Sequence, residues 1–144
     1  MSNRLLPIPA NLEKSVPLTD SDRLFTFLCE ALPPVAPGQF IEVSIPGVGG
    51  FPVSACDLSR DGRVFACIRR AGRVTSGLFG LAPGAALGLR GPFGKGFDPA
   101  LFKDRDVLLV AGGLGLAPLR ALLAALLQSG HSRRLILLYG ARNP

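Results

Sequence analysis

The 144-residue sequence predicts an antiparallel β barrel or sandwich of about six short strands, followed by one parallel β-α-β unit. Short apolar runs separated by glycine and proline turns fill residues 12–97, and two wholly apolar runs flank one helical segment in residues 107–139. With 48% hydrophobic and 18% charged residues, the chain has enough apolar material for a core, which excludes a disordered chain. The length fits one domain, or one small domain with part of another.

Strong turn dipeptides such as Pro46-Gly47 and Pro83-Gly84 separate the apolar runs of the first part. The segment Val74–Leu81 is predicted to be a helix, because Gly72-Arg73 opens it and a proline follows it. Six strands and one short helix fit this length. The five runs that the pattern places are Leu24–Glu30, Phe40–Ile45, Val53–Cys56, Arg63–Ile68 and Ala86–Arg90.

The second part begins with Val107–Val110, which is apolar on both faces, as in a parallel strand covered on both sides. A helix over Leu116–Gln128 and a second apolar strand over Leu135–Tyr139 follow. Two parallel strands and one helix leave a sheet face uncovered, and the mean hydropathy of +0.38 is high for a soluble protein. We therefore expect a C-terminally incomplete nucleotide-binding unit, with self-association or a tight partner on the uncovered sheet.

The formal charge of +6 and a pI near 10 permit an anionic ligand, but no aromatic residues alternate with the arginines as nucleic-acid binding would favour. Cys29, Cys56 and Cys67 form no CxxC pair, so we expect no disulfide framework and no zinc or iron–sulfur site, and a reducing, cytoplasmic location. We expect no signal peptide and no membrane span, because glycines, Pro118 and Arg120 interrupt the most apolar stretch. His131, the single histidine, is expected to be a solvated loop residue.

A glycine-rich turn over residues 111–118 lies between strand and helix, where backbone amides can approach a phosphate. It departs from the Rossmann fingerprint, because Pro118 stands at the third glycine position and no Asp or Glu follows Asp106. From the residues alone, nucleotide binding and a tight turn that packs helix on strand are about equally supported.

The segment over residues 68–78 offers three arginines, a glycine and two hydroxyls at the start of a short helix. Such a segment can receive a pyrophosphate, or its arginines can be solvated while Thr75 caps the helix. Ser54 is either a ligand hydroxyl or a serine bonded to its own backbone.

Six segments taken in order resemble the ferredoxin–NADP reductase superfamily, in the branch with the sulfhydrogenase gamma subunits, the anaerobic sulfite reductase beta subunit and the dihydroorotate dehydrogenase electron-transfer subunit. The resemblance covers nearly the whole chain. The segments are "PGQFIEVSIPG" at 37–47, "FPVSA" at 51–55, "RRAGRVTSGLFGLAPG" at 69–84, "LRGPFGKGF" at 89–97, "LLVAGGLGLAPLRALL" at 108–123 and "LLYGARNP" at 137–144.

The resemblance implies a Greek-key FAD-binding barrel over residues 1–98. The family's Arg-x-aromatic-Ser motif falls on Phe51, Pro52, Val53 and Ser54, so the serine that points toward flavin N5 is present, while the phosphate-binding arginine and the stacking ring are replaced. Ser54 is the implied catalytic residue. The family's pyrophosphate-binding segment matches the start of the predicted helix, and its GPFG loop includes Gly91. The implied pyrophosphate ligands are Arg69, Gly72, Arg73, Val74 and Thr75.

The resemblance also implies the start of an NAD(P)-binding domain over residues 104–144. It implies electron transfer between NAD(P)H and an iron–sulfur partner, or hydrogenase or reductase subunits, through FAD. An alternative is an FAD-binding electron-transfer or assembly module without NAD(P)H activity of its own. NADH and NADPH are not distinguished. The implied nucleotide-binding residues are Gly112, Gly113, Gly115, Pro118 and Arg142.

Overall fold

The computed structural model describes residues 6–142 and confirms a six-stranded antiparallel sheet followed by a two-stranded parallel sheet with one long helix. Residues 1–5 and 143–144 of the two expected domain ranges lie outside the described residues. Short 3₁₀ turns cover Pro99–Phe102 and Gly113–Gly115. The strands are β1 (Ile8–Pro17), β2 (Asp22–Leu28), β3 (Phe40–Ile45), β4 (Gly49–Ser54), β5 (Arg63–Arg69), β6 (Ala86–Phe93), β7 (Asp106–Gly112) and β8 (Arg134–Gly140), and the helices are α1 (Arg73–Phe79) and α2 (Leu116–Ser129).

The larger sheet has the strand order β4-β3-β6-β1-β2-β5, in which β6 is inserted between β1 and β3 in the manner of a Greek key. β4 and β5 are therefore its two edge strands. The sheet curls so that these edges approach, and the amide of Cys56, just after β4, donates to the carbonyl of Phe65 in β5 at 2.8 Å. We call the gap between β4 and β5, together with the start of α1, the seam.

The barrel forms because its strands alternate apolar and polar side chains with the period of two that a half-buried strand requires. In β3, Ile41, Val43 and Ile45 are buried while the residues between them are half-buried. Leu78 of α1 is fully buried against the same core, so the short helix fills one end of the barrel. Burial of each such side chain contributes about 1.5–3 kcal/mol, which fixes α1 beside β4.

Four strands of the larger sheet differ by two or more residues from the sequence-based expectation: β2 begins and ends two residues before Leu24–Glu30, β6 ends three residues after Arg90, and β1 and β4 differ for local reasons. β1 was not placed by any apolar run, because only Ala10 and Leu12 of its ten residues are buried. β4 was expected at Val53–Cys56 but spans Gly49–Ser54, since its first two residues are glycines that give no apolar signal. Pro52 is tolerated within it because β4 is an edge strand.

The second unit buries one face of its sheet. Val107 and Leu109 of β7 pack against Leu122 and Leu126 of α2, while Leu108 and Val110 on the opposite face are 56% and 64% exposed. β7 is three residues longer than expected, β8 is two residues longer and α2 is one residue longer. α2 ends at Ser129, and the next residue, Gly130, has a φ of 61°, in the left-handed region that favours glycine at a helix C-terminus.

A buried carboxylate joins the β1–β2 turn to the end of β5. Asp22 is 7% exposed and accepts hydrogen bonds from Arg69 Nε at 2.8 Å, Arg69 Nη2 at 2.9 Å and the Thr19 hydroxyl at 3.0 Å. These donors, Arg69 first, lower the pKa of Asp22 from its ordinary value of 3.8 against the opposing effect of burial. Because the folded-state pKa is depressed, the stabilisation is complete above pH 3.8 and is lost as the pH falls through the folded-state value.

We expect Asp22→Asn to lower the free energy of unfolding at pH 7 by about 1.5–3 kcal/mol, the range for hydrogen bonds to charged groups. The difference from the wild-type chain should shrink as the pH falls below 3.8, which urea unfolding at several pH values measures. Asp106→Asn is the matched control, because Asp106 forms a bidentate pair with Arg133 at the surface. The Asp106 side chain is 40% exposed and the Arg133 side chain is 72% exposed. That exposed pair should contribute about 0–1 kcal/mol. Equal losses in both variants would contradict the role assigned to Asp22.

Candidate functional site

Ser54 ends β4 on the outer face of the sheet. It lies opposite Phe40 of β3 and is half-buried, and the next amide, Ala55, donates to the Gln39 carbonyl at 3.3 Å. The backbone around Ser54 is therefore fixed by the β3–β4 pairing. The pairing of Ser54 with Phe40 in the β3–β4 register sets the face of the sheet on which the Ser54 side chain lies.

The other three residues of the "FPVS" motif alternate across β4. Phe51 and Val53 pair with Val43 and Ile41, both fully buried, and pack against the barrel core while remaining half-buried themselves. Pro52 faces outward and is exposed. The inner side of this edge strand thus offers a partly covered apolar surface at the seam, which suits a planar aromatic ring.

The start of α1 adjoins the first residue of β4, since a Cβ on Gly49 would lie 3.2 Å from Val74 Cγ2. The Thr75 hydroxyl accepts from the amides of Ala71 and Gly72, both at 3.0 Å, and donates to the Gly72 carbonyl at 3.1 Å. Thr75 therefore caps the helix, one of the two roles that its sequence position allowed.

The amides of residues 73–75 remain suited to an anion. The first helical hydrogen bond of α1 runs from Ser76 N to the Gly72 carbonyl at 2.8 Å, so no preceding turn lies in front of these three amides. A Cβ at Gly72 would meet nothing within 4 Å, so the approach to them is open. The Thr75 hydroxyl holds the residues that precede the helix, and the Thr75 amide is one of the three amides at the helix start.

The two arginines expected at a pyrophosphate occupy different environments. Arg69 uses Nε and Nη2 in its pair with Asp22, which leaves Nη1 outside that pair. Arg73 is exposed and donates from Nη2 to the Val48 carbonyl at 2.8 Å. Both guanidinium groups are thus held near the α1 end of the seam, at opposite sides of it.

Gly91 lies at a close approach of backbone to strand β3. Its φ is 139°, a conformation that favours glycine, and a Cβ there would lie 3.3 Å from Ile41 Cγ2 and from the Phe40 carbonyl. The following peptide bond to Pro92 is cis. The ring of Phe93 packs on Phe40 with centroids 5.4 Å apart, so Phe40 contacts the GPFG loop and lies opposite Ser54 at once. Sequence reasoning missed Phe40, which only the strand register identifies.

The glycine turn of the second unit starts at Gly112, the last residue of β7, and continues as a 3₁₀ turn into α2. Cβ atoms at Gly113 and Gly115 would meet nothing within 4 Å, and Pro118 lies in the first turn of the helix. Gly112 pairs with Gly140 at the end of β8, two residues before the exposed Arg142. The structure therefore brings the expected nucleotide-binding residues to one end of this sheet.

Arg120 of α2 connects the two units and was not expected from sequence. Its Nη1 lies 3.0 Å from Asp57 Oδ2 and 3.1 Å from the Cys56 carbonyl oxygen. Burial raises the pKa of the Cys56 thiol to about 11, which keeps it protonated at neutral pH even beside Arg120. Burial also raises the pKa of Cys29 and of Cys67.

No helix within residues 6–142 is long and apolar enough to cross a membrane. His131 is exposed, as expected, and its carbonyl accepts from the amide of Asp104 at 2.9 Å.

The chain was compared with known proteins. No family model matches it. Sulfhydrogenase 2 subunit gamma of Pyrococcus furiosus is 41% identical over 107 residues, an alignment that covers 74% of this chain and 37% of that subunit. The probable dihydroorotate dehydrogenase B (NAD(+)) electron transfer subunit of the same organism is 40% identical over 106 residues, covering 74% of this chain and 38% of that protein. The alignments thus span well under half the length of these relatives.

Among solved structures, the ferredoxin reductase of carbazole 1,9a-dioxygenase superposes with a TM-score of 0.82 at 25% identity, covering 95% of this chain and 43% of that one. This superposition over nearly the whole chain confirms the predicted fold class, an antiparallel barrel followed by a parallel β-α-β unit. The chain therefore belongs to the ferredoxin–NADP reductase-like superfamily, in the group that contains the sulfhydrogenase gamma subunits and the dihydroorotate dehydrogenase electron-transfer subunits.

Proposed function

We propose that this chain is the FAD-carrying part of a flavoprotein electron-transfer subunit that passes electrons between NAD(P)H and an iron–sulfur partner. One observation carries the proposal: β4 begins beside the open start of α1, carries half-buried apolar side chains and ends at Ser54. The names of the relatives, an electron transfer subunit and hydrogenase subunits, support the same reading.

FAD would supply the chemistry, because a flavin accepts a hydride and can release electrons one at a time. The residues present fit such a group. Phe51 and Val53 offer the ring an apolar surface, and Ser54 offers a hydroxyl at the end of the same strand. Our proposal is that this hydroxyl forms a hydrogen bond at flavin N5 and so orients the reacting edge.

The phosphates would lie at the opposite end of β4. Its six residues span about 17 Å at roughly 3.3 Å per residue, and this end meets the start of α1. We propose that the amides of residues 73–75 and the Arg73 guanidinium bind the pyrophosphate, with Arg69 Nη1 adding charge from β5. Charge-assisted hydrogen bonds of this kind offset the loss of the arginine that the family carries at the position of Phe51.

The glycine turn would receive the nicotinamide nucleotide. Gly112, Gly113 and Gly115 leave room for a pyrophosphate close to the backbone, and α2 is long enough for its N-terminal amides to favour an anion. Arg142 follows β8 at the same end of the sheet and would meet the ribose or its phosphate.

A second candidate is an FAD-binding electron-transfer or assembly module without NAD(P)H activity. Such a module would bind FAD but would not reduce ferricyanide with NADH.

The partners are part of the proposal. We infer an iron–sulfur protein, or hydrogenase or reductase subunits, as the electron-transfer partner. The exposed apolar side chains on the outer face of the β7–β8 sheet suit a second copy of the chain or a tightly bound subunit. A cytoplasmic location stays a prediction from the three free cysteines. The exposed side chains are Leu108, Val110, Ile136 and Leu138.

The first test of the proposal is the identity of the flavin. We expect the purified chain, loaded with excess flavin and then denatured, to release FAD in preference to FMN, because the α1 end of the seam is suited to a pyrophosphate. Chromatography of the released flavin measures this. Release of FMN alone, or no retention of either flavin, would count against the assignment.

The second test concerns the phosphate end of the seam. Thr75→Ala removes the side chain that holds the amides of residues 71 and 72, and Arg73→Ala removes a guanidinium, so each should weaken FAD binding about tenfold to a hundredfold. Titration of the apoprotein with FAD measures the change.

Thr75→Ser and Arg105→Ala are the matched controls. Serine keeps the hydroxyl of the cap, and Arg105 is an exposed arginine of the second unit. Both should bind FAD as the wild-type chain does. A loss in the Arg105→Ala variant as large as that in Arg73→Ala would show that the effect comes from net charge alone.

A further inference from the structure

Arg120 contacts the barrel through a single nitrogen. Its Nη1 lies 3.0 Å from Asp57 Oδ2 and 3.1 Å from the Cys56 carbonyl oxygen. These two acceptors follow Ser54 by two and three residues. A residue of the second unit is therefore bound to the chain segment that leads directly out of the strand carrying Ser54.

The acceptor side of this contact is rigid. Asp57 is only 17% exposed at its side chain, and its other oxygen, Oδ1, accepts from the amide of Leu58 at 2.8 Å. Cys56 is tied into the barrel by its amide, which donates to the Phe65 carbonyl. The carboxylate and the carbonyl are thus held in fixed directions, and Arg120 binds a preformed pair of acceptors.

The donor side is equally well placed. Arg120 is the fifth residue of α2 and follows Pro118 of the glycine turn by two positions. The next two residues, Ala121 and Leu122, are buried, and Leu122 packs in the core that β7 and α2 share. Because a helix is stiff over one or two turns, a fixed Arg120 also fixes the glycine turn that precedes it.

A second anchor lies in the connection between the units. Phe97 is bound to the barrel by its amide, which donates to the Pro37 carbonyl at 2.8 Å, and its ring packs on Phe102 of the second unit with centroids 6.5 Å apart. Arg120 of α2 makes a second contact with the barrel in addition to this one.

We propose that Arg120 is a positioning residue, which holds the glycine turn at 112–118 in one orientation relative to the end of β4 and Ser54. The inference deepens the proposed function and rests on it for its purpose, which is to bring a nicotinamide over the flavin. Its geometric content does not depend on any flavin. Asp57 is only 17% exposed at its side chain, and Arg120 Nη1 also binds the Cys56 carbonyl, so the contact is partly shielded from solvent on its barrel side.

The test measures the relative orientation of the two units in solution. Residual dipolar couplings of the ¹⁵N-labelled, flavin-free chain report whether one alignment tensor fits both the barrel and residues 106–140. We expect one tensor for the wild-type chain and for Arg120→Lys, since one ammonium group can reach both acceptors. Arg120→Met and Asp57→Asn should each require two different tensors.

Arg133→Met is the matched control, because Arg133 pairs with Asp106 inside the second unit and its loss should leave one tensor. The charge reversal, Arg120→Asp combined with Asp57→Arg, should restore a single tensor that Arg120→Asp alone loses. Unchanged couplings within each unit show that a variant is folded. A single tensor in Arg120→Met, or two tensors in the wild-type chain, would overturn the proposal.

FAD titration of the same variants separates this inference from the proposed function. Arg120→Met should bind FAD within about twofold of wild type, because Arg120 contacts Cys56 and Asp57 and none of the residues that we assign to FAD. A tenfold loss of FAD affinity with one tensor retained would overturn the positioning role in favour of a direct role at the flavin. Failure of the wild-type chain to bind FAD would overturn the proposed function while leaving the orientation result intact.

Discussion

The seam between β4 and β5 is the constraint on which the candidate site depends. The six strands pair in a continuous order from β4 to β5, so these two strands meet only at the edges of one sheet, where the Cys56 amide reaches the Phe65 carbonyl. Edge strands carry backbone and side-chain surface that no neighbouring strand covers. In this barrel α1 covers part of it, and the remainder is the apolar and amide-lined surface that we assign to FAD.

The two ends of the seam carry different chemical groups, because β4 runs along it in one direction. β4 runs from the start of α1 toward the contact with β5, so Gly49 meets Val74 at one end and Ser54 ends the strand at the other. A cofactor with a ring at one end and phosphates at the other matches this polarity. Arg120 then connects the Ser54 end to the second unit, so that it links the proposed flavin site to the proposed nicotinamide site.

Much of this fold follows from local patterns in the sequence. The alternation in β3 and β5 and the turn dipeptides place those strands correctly, and the glycine turn marks the junction of β7 and α2. The sequence pattern did not predict β1, because this strand is defined by its pairing with β2 and β6 and not by an apolar run of its own. The start of β4 was not predicted, because Gly49 and Gly50 add nothing to a hydrophobic pattern. The missing side chain of Gly49 nevertheless lets α1 pack close to the strand.

The site was only partly readable from sequence. Thr75 and the amides of α1 could be found, because helix caps are local. The pairing of Arg69 with Asp22, 47 positions away, and the contact of Arg120 with Cys56, 64 positions away, could not, since each depends on tertiary folding. Phe40 is opposite Ser54 only because of a strand register that no short motif encodes.

The most direct test of the central claim, that FAD binds along the seam, is amide chemical-shift mapping of the ¹⁵N-labelled chain with FAD. We expect saturable shifts at the amides of Phe51, Val53, Ser54 and residues 72–76, whereas a saturated complex with those amides unshifted would contradict the assignment of FAD to the seam.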